Sequence, residues 1–237
     1  MKPVTVAIIG RGKSGTRIPM QLIAAGDGHT GRVVNASFDK TPFTKLYNAV
    51  KMVGPHVDYI GSHEWDFSEL LKCPVPQHFK DLMADYLDDT LSSNKALRAW
   101  KLPESILGYP WLVKHYPDMH FIFWYRHPAG IINKPHATDN LRKWHVPSPK
   151  AESEQEQRAL SWLYQWQIVH CTPRPQHFLA IRYEDYLADA EAVCRKIEAF
   201  IGMPIGRGVV RNGVNTKNEI PFSFLRPALN QAGYLSS

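Results

Sequence analysis

Between Gly10 and Arg17 the chain reads Gly-Arg-Gly-Lys-Ser-Gly-Thr-Arg, the part of its 237 residues best suited to hold an anion. A glycine-rich turn that opens into a helix aims several backbone N–H groups, and the positive end of the helix dipole, at one point. Arg11, Lys13 and Arg17 add three cations there, so the turn calls for a ligand more negative than a single phosphate. A Walker A loop is excluded, because Gly-Lys-Ser/Thr must close that motif and here Lys13 precedes Ser14-Gly15. Gly10, Gly12 and Gly15 do satisfy Gly-x-Gly-x-x-Gly, which keeps a dinucleotide-binding Rossmann oxidoreductase open. In that reading Asp39 is the ribose-binding acid, somewhat later than the expected spacing of about 20 residues.

The elements that must position these residues alternate between strand and helix. The apolar run Val4–Ile9 reads as a buried strand feeding the turn, and residues 18–25 continue as a helix. A short second strand is expected over residues 32–38, ending at Asp39, followed by a Thr41-Pro42 turn and a helix through Met52. Residues 54–78 read as an irregular lid or substrate loop, residues 79–91 as a helix and residues 96–100 as a strand that exits through Lys101 to Glu104. A helix through Tyr116 follows. His120–Tyr125 is a strong strand ending on Arg126-His127-Pro128, and residues 134–150 form a second loop. A long helix over 153–170, a strand over 177–181 and a helix over Ala190–Ile201 stopped by Gly202 complete the pattern. Such alternation predicts a parallel sheet covered by helices on both faces, with ligands at the carboxyl ends of its strands. Gly10, Lys101, Arg126 and Arg182 fall at those ends.

Length and composition set the frame: 44% hydrophobic and 11% aromatic residues suit one α/β domain spanning 1–237. The net charge of +6 comes from dispersed basic residues, which favours a small polyanion over nucleic acid as the partner. Cys73, Cys171 and Cys194 form no Cys-x-x-Cys or His/Cys cluster, so neither a disulfide framework nor a metal site is expected. No signal-peptide pattern and no apolar segment near the roughly 20 residues of a membrane span occur, so a cytoplasmic location is expected.

Several segments, in order, resemble 3′-phosphoadenosine 5′-phosphosulfate (PAPS)-dependent sulfotransferases. They are Gly12-Lys-Ser-Gly-Thr16 after the first strand and Phe121-Ile-Phe-Trp-Tyr-Arg126-His-Pro128. Further along, the stretch from Ile181-Arg-Tyr-Glu-Asp185 to Val193 precedes Phe200-Ile-Gly-Met-Pro204. Trp100-Lys-Leu-Pro-Glu104 with Pro110-Trp111 is similar to a bacterial branch of that family. The resemblance implies a P-loop-NTPase-like fold and metal-independent, in-line transfer of a sulfuryl group from PAPS to a hydroxyl or amine. The acceptor would be a small molecule or glycan, and a homodimer is one assembly open to it. A protein of the same fold that binds a nucleotide or sulfated partner without turnover is the non-enzyme alternative.

By that resemblance Lys13 stabilises the leaving oxygen, while Arg11, Gly12, Ser14, Gly15, Thr16 and Arg17 hold the phosphosulfate. Arg126 takes the 3′-phosphate. A serine that the family places two helical turns beyond this arginine is replaced by Asn133-Lys134, so Lys134, or Asn133 after a small register change, is the candidate for that contact. Asp39 is the candidate general base, with His63, Glu64, Asp66, His136 and Asp139 as alternatives. Lys101 and Glu104 are read as an internal ion pair or substrate contacts, and Arg182 to Asp185 as structural, with a nucleotide contact from Arg182 or Tyr183 as the lesser reading. Trp65, Trp144 and Trp162 are read as core residues to be tested for lining an acceptor pocket. Arg211 to Lys217 stands where the family has a final nucleotide segment.

Overall fold

A computed structural model describes residues 2–209 and 220–235. The segment from Arg211 to Lys217 therefore lies outside the described residues. The first strand, β1 (Val4–Ile9), turns through the basic loop into α1 (Arg17–Ala25). Next come α2 (Thr44–Lys51), the hairpin of β2 (Asp58–Gly61) and β3 (Glu64–Asp66), α3 (Ser68–Lys72) and α4 (Gln77–Leu91). The second half runs β4 (Leu97–Lys101), α5 (Tyr109–His115), β5 (His120–Tyr125), α6 (Glu154–Cys171) and β6 (Phe178–Arg182). Among the described residues three helices follow: α7 (Tyr183–Ala188), α8 (Ala190–Ile201) and α9 (Arg226–Gln231).

The main sheet is parallel throughout, in the order β4-β1-β5-β6. Successive side chains of its strands point to opposite faces, and the core divides accordingly. Val6, Ile8, Ile122 and Trp124 pack with α1 and α8, whereas Ala7, Ile9, Phe121 and Phe123 pack with α2, α4, α5 and α6. Because β1 is flanked by β4 on one side and β5 on the other, the chain reverses direction across the sheet there. A crevice opens beyond the strand ends at such a reversal, and it is here that the basic loop sits.

The strands and the long helices form close to where the periodicity puts them, and Gly202 ends α8 with φ +70°. Two expectations are corrected. No strand forms over 32–38: the Asn35 side chain accepts from the backbone N–H groups of Ser37 and Asp39, and Phe38 adopts φ +60°. A side chain that bonds its own neighbouring backbone offers an alternative to a ladder, and the segment folds back on itself instead. Nor is 54–78 an open loop. It holds the β2–β3 hairpin and α3, and it places Val57, Trp65, Phe67 and Leu70 in the core. No helix among the described residues is long and apolar enough to cross a membrane.

Candidate active site

Lys13 stands at the apex of the loop with φ +70°, exposed, and makes no ion pair among the described residues. Ser14 is buried, and its carbonyl accepts the Trp124 indole N–H at 3.1 Å, so β5 holds the loop from behind. The two glycines beside Lys13 are there for space. A Cβ on Gly12 would run into the His136 ring, and one on Gly15, at φ +89°, would come 2.7 Å from the Tyr183 ring. Thr16 leads into α1, whose first turn carries Arg17 and no acidic residue, so the positive end of the helix dipole is uncompensated.

The loop forms one wall of a cavity of about 340 Å³. Gly12, Lys13, Gly15, Thr16 and Arg17 meet Ser37, Asp39, Lys101, Arg126, His136 and Tyr183 there. Arg126, just beyond β5, lies over the Tyr183 ring with its guanidinium carbon 4.4 Å from the ring centre. Its backbone carbonyl accepts the Trp162 indole N–H at 3.1 Å, and its Nε is buried with no hydrogen-bond partner. Lys13, Arg17 and Arg126 thus face one cavity with no anionic partner among the described residues. A guanidinium that lines such a cavity without a carboxylate partner fits a bound anion.

The opposite wall holds a coupled set of charges. Asp39 pairs with Lys101, whose side chain is only 3% exposed, and accepts from the Asn35 amide at 3.0 Å. The ion pair expected between Lys101 and Glu104 does not form. Glu104 instead accepts the Tyr47 hydroxyl at 2.9 Å and leaves Oε2 buried without a partner. Burial pushes the Glu104 carboxyl above its usual range, and burial lowers Lys101 against the opposing pull of Asp39. His136 Nε2 lies 3.9 Å from Glu104 Oε1, and burial together with the nearby Arg11 brings its imidazole down to about 4.

The remaining sequence candidates lie apart from the cavity. Arg11 is buried and turned away from the others, bonded through Nη2 to Asp139 Oδ1 at 2.5 Å and through Nη1 to the Gly12 carbonyl at 3.0 Å. It braces the loop, and Asp139 is its counter-charge. Lys134 is exposed and outside the cavity lining, and only its carbonyl meets the loop, through Arg11. Asn133 accepts from Gln155 at 2.7 Å. The segment after Arg126 is a short 3-10 turn, Pro128–Gly130, rather than the helix that would carry Lys134 back over the cavity. His63 stacks on Phe224, while Glu64 and Asp66 are exposed on the hairpin. Arg182 bonds Asp185 and the Gly233 carbonyl, as a structural residue does. Trp65, Trp144 and Trp162 are all core residues that donate to loop carbonyls. Ser37 was not foreseen. It reaches the cavity through the turn that replaced the expected strand, and nothing in its local sequence signals that. The dinucleotide reading also loses the strand it required before Asp39.

No group of His, Cys, Asp and Glu side chains able to hold a metal ion occurs among the described residues. No curated protein matches the sequence. Among solved structures, the chain is similar to a sulfotransferase domain from the curacin biosynthetic pathway, at 14% identity and a TM-score of 0.55, covering 99% of each chain. It is also similar to a sulfotransferase from Alicyclobacillus acidocaldarius, at 14% identity and a TM-score of 0.53, covering 98% of this chain and 94% of that one. Those likenesses establish a shared fold. The sequence itself matches the model of the sulfotransferase family over residues 5–206, a span that takes in every residue lining the cavity. The protein is thus an enzyme of the sulfotransferase family.

Proposed function

We propose that the protein transfers a sulfuryl group from PAPS to a hydroxyl, or an amine, on a small-molecule acceptor. The observation that carries this reading is the convergence of Lys13, Arg17 and Arg126 on one cavity with no anionic partner among the described residues. A doubly phosphorylated nucleotide matches that charge, whereas a single phosphate leaves it in excess.

PAPS supplies the activated sulfuryl group: the bond from sulfur to the bridging phosphate oxygen breaks as the bond from the acceptor oxygen to sulfur forms. Arg126 presents a planar fork of donors to the 3′-phosphate, and Tyr183 holds that fork by stacking on it. The N-terminus of α1, with Thr16 and Arg17, takes the 5′-phosphate end. Lys13 balances the negative charge that builds on the leaving oxygen. It therefore acts by fixed electrostatics, the dominant contribution in transfers of this type. Asp39 takes the acceptor proton, and its Lys101 and Asn35 contacts hold the carboxylate in one orientation.

The test is thermal unfolding of the purified protein with adenosine 3′,5′-bisphosphate, compared with NAD⁺, NADPH and ATP–Mg²⁺. At about 100 times its dissociation constant a ligand stabilises by roughly 2.7 kcal/mol, several degrees for a chain of this size. The bisphosphate alone should produce that shift. A shift with NAD⁺ or NADPH and none with the bisphosphate would overturn the reading.

A further inference from the structure

We propose that His136 is a hydrogen-bond donor held in a single tautomer, presenting Nε2–H to the transferred sulfuryl group, and is not the proton acceptor of the reaction. The inference rests on the sulfuryl-transfer reading above and concerns a residue whose place in that cavity only the fold reveals.

The lock lies on the far side of the ring. His136 precedes a short 3-10 turn, Ala137–Asp139, and its Nδ1 accepts the Thr138 backbone N–H at 3.3 Å. A nitrogen that accepts a backbone N–H carries no proton of its own, so in the neutral ring the proton sits on Nε2. The Thr138 hydroxyl is also against Nδ1, at 3.0 Å, and it accepts from the Gln165 amide at 3.2 Å. With Nδ1 already accepting the Thr138 backbone N–H and therefore bare, the hydroxyl can meet it only by donating, a second donor on the same nitrogen. The Thr138 carbonyl in turn accepts the Ser161 hydroxyl at 2.9 Å, so α6 holds the threonine at two points. Thr138, Ser161 and Gln165 are all buried, and the Asp139 carboxylate accepts the His136 backbone N–H at 2.6 Å.

The Nε2 edge faces the chemistry. It borders Gly12, where a Cβ would collide with it, and the ring lines the cavity beside Lys13. The charged groups around this residue are Arg11, Lys13, Lys101, Asp39, Glu104 and Asp139, the last holding its backbone N–H. Burial of the ring, helped by the nearby Arg11, Lys13 and Lys101, keeps the neutral form at pH 7. A neutral ring whose bare nitrogen is already engaged twice has no lone pair to offer an acceptor hydroxyl. Its one remaining function is donation. A neutral N–H beside Lys13 can bond a sulfuryl oxygen without adding a further positive charge, and Asp39 keeps the role of base.

Two measurements test this. Imidazole ¹⁵N chemical shifts of the wild-type protein at pH 7 should show His136 protonated on Nε2 alone; protonation on Nδ1, or on both nitrogens, would overturn the proposal. Independently, His136→Phe keeps a ring over Gly12 but no donor, whereas His136→Gln restores a neutral N–H that cannot act as a base. Removing one such donor costs roughly 10²-fold in kcat, so His136→Phe should lose that much and His136→Gln should recover most of it. Both variants should retain the wild-type affinity for adenosine 3′,5′-bisphosphate, which lacks the sulfuryl group. A His136→Gln enzyme as inactive as His136→Phe, or a His136→Phe enzyme with full turnover, would overturn the donor role alone. A wild-type protein that fails to bind the bisphosphate would instead bring down the sulfuryl-transfer reading beneath it.

Discussion

Lys13 offers a substitution in which stability and activity should move in opposite directions. Its backbone lies at φ +70°, where an ordinary L-residue pays about 1–2 kcal/mol relative to the right-handed region. Its side chain is exposed and has no partner to lose. Replacing it with glycine removes that strain, while the freer unfolded glycine takes back about 0.5–1 kcal/mol. The net expectation for Lys13→Gly runs from no change to a stabilisation of about 1.5 kcal/mol. For a chain of 237 residues that is a rise of up to roughly 5 °C in Tm. Turnover should fall by roughly 10²–10³-fold, the usual cost of losing one stabilising group on a developing charge. Lys13→Ala removes the same ammonium without relieving the backbone, so it should show the same loss of turnover and no gain in Tm. The assay is a pair of melting curves for each variant, with release of adenosine 3′,5′-bisphosphate from PAPS as the measure of turnover. A Lys13→Gly protein that melts several degrees below wild type would mean that the lysine holds the loop together. Turnover within about threefold of wild type would refute its role at the leaving oxygen.

Further expectations follow from the same geometry. Arg126→Lys keeps the charge but loses the fork and the stacking on Tyr183, and should weaken adenosine 3′,5′-bisphosphate binding by roughly tenfold or more in a calorimetric titration; unchanged affinity would remove Arg126 from the 3′-phosphate. Asp39→Asn leaves Lys101 buried without its counter-charge and should destabilise by about 3–5 kcal/mol. The double change Asp39→Asn with Lys101→Met should regain most of that stability while staying inactive, and a double variant that turns over normally would exclude Asp39 as the base. His136 contributes to the acid limb of stability. Its imidazole is held at about 4 in the fold against an ordinary 6.5, so the unfolded chain takes up the proton first on acidification. The contribution, up to about 3 kcal/mol, is complete above pH 6.5 and fades as the pH falls toward 4. His136→Gln should flatten the Tm–pH curve across that window, and an unchanged curve would show that the ring is not held neutral.

Much of the site was legible because its parts lie next to strand ends in the sequence. The loop from Gly10 to Arg17 follows an apolar run that can only be a buried strand, and Arg126 follows another. Each can be placed from local pattern alone. Ser37 and His136 could not be placed that way. Ser37 depends on an Asn35 side chain outcompeting a strand ladder, and His136 on a threonine buried against α6. The same limit explains 32–38 and 54–78. Val33 and Val34 suggest a strand, yet Val33 is 61% exposed, and the irregular-looking 54–78 conceals Trp65 and Phe67 in the core. Burial is set by partners distant in sequence, and local composition does not report it. Lys134 lies outside the cavity lining for a related reason: its direction depends on whether a helix or a turn follows Arg126.

The bond from the Trp124 indole to the Ser14 carbonyl does more than fasten the loop to β5. A peptide carbonyl that accepts a hydrogen bond draws electron density from its own amide nitrogen, and the N–H on the other side of that peptide becomes a stronger donor, by roughly 10–30% per bond. That peptide is the one joining Ser14 to Gly15, in the wall of the cavity. Part of the pull that the loop exerts on an anion therefore originates in an apolar-looking residue on the neighbouring strand, with no formal charge of its own. Exchanging Trp124 for a phenylalanine would leave every cation in place and still weaken the site.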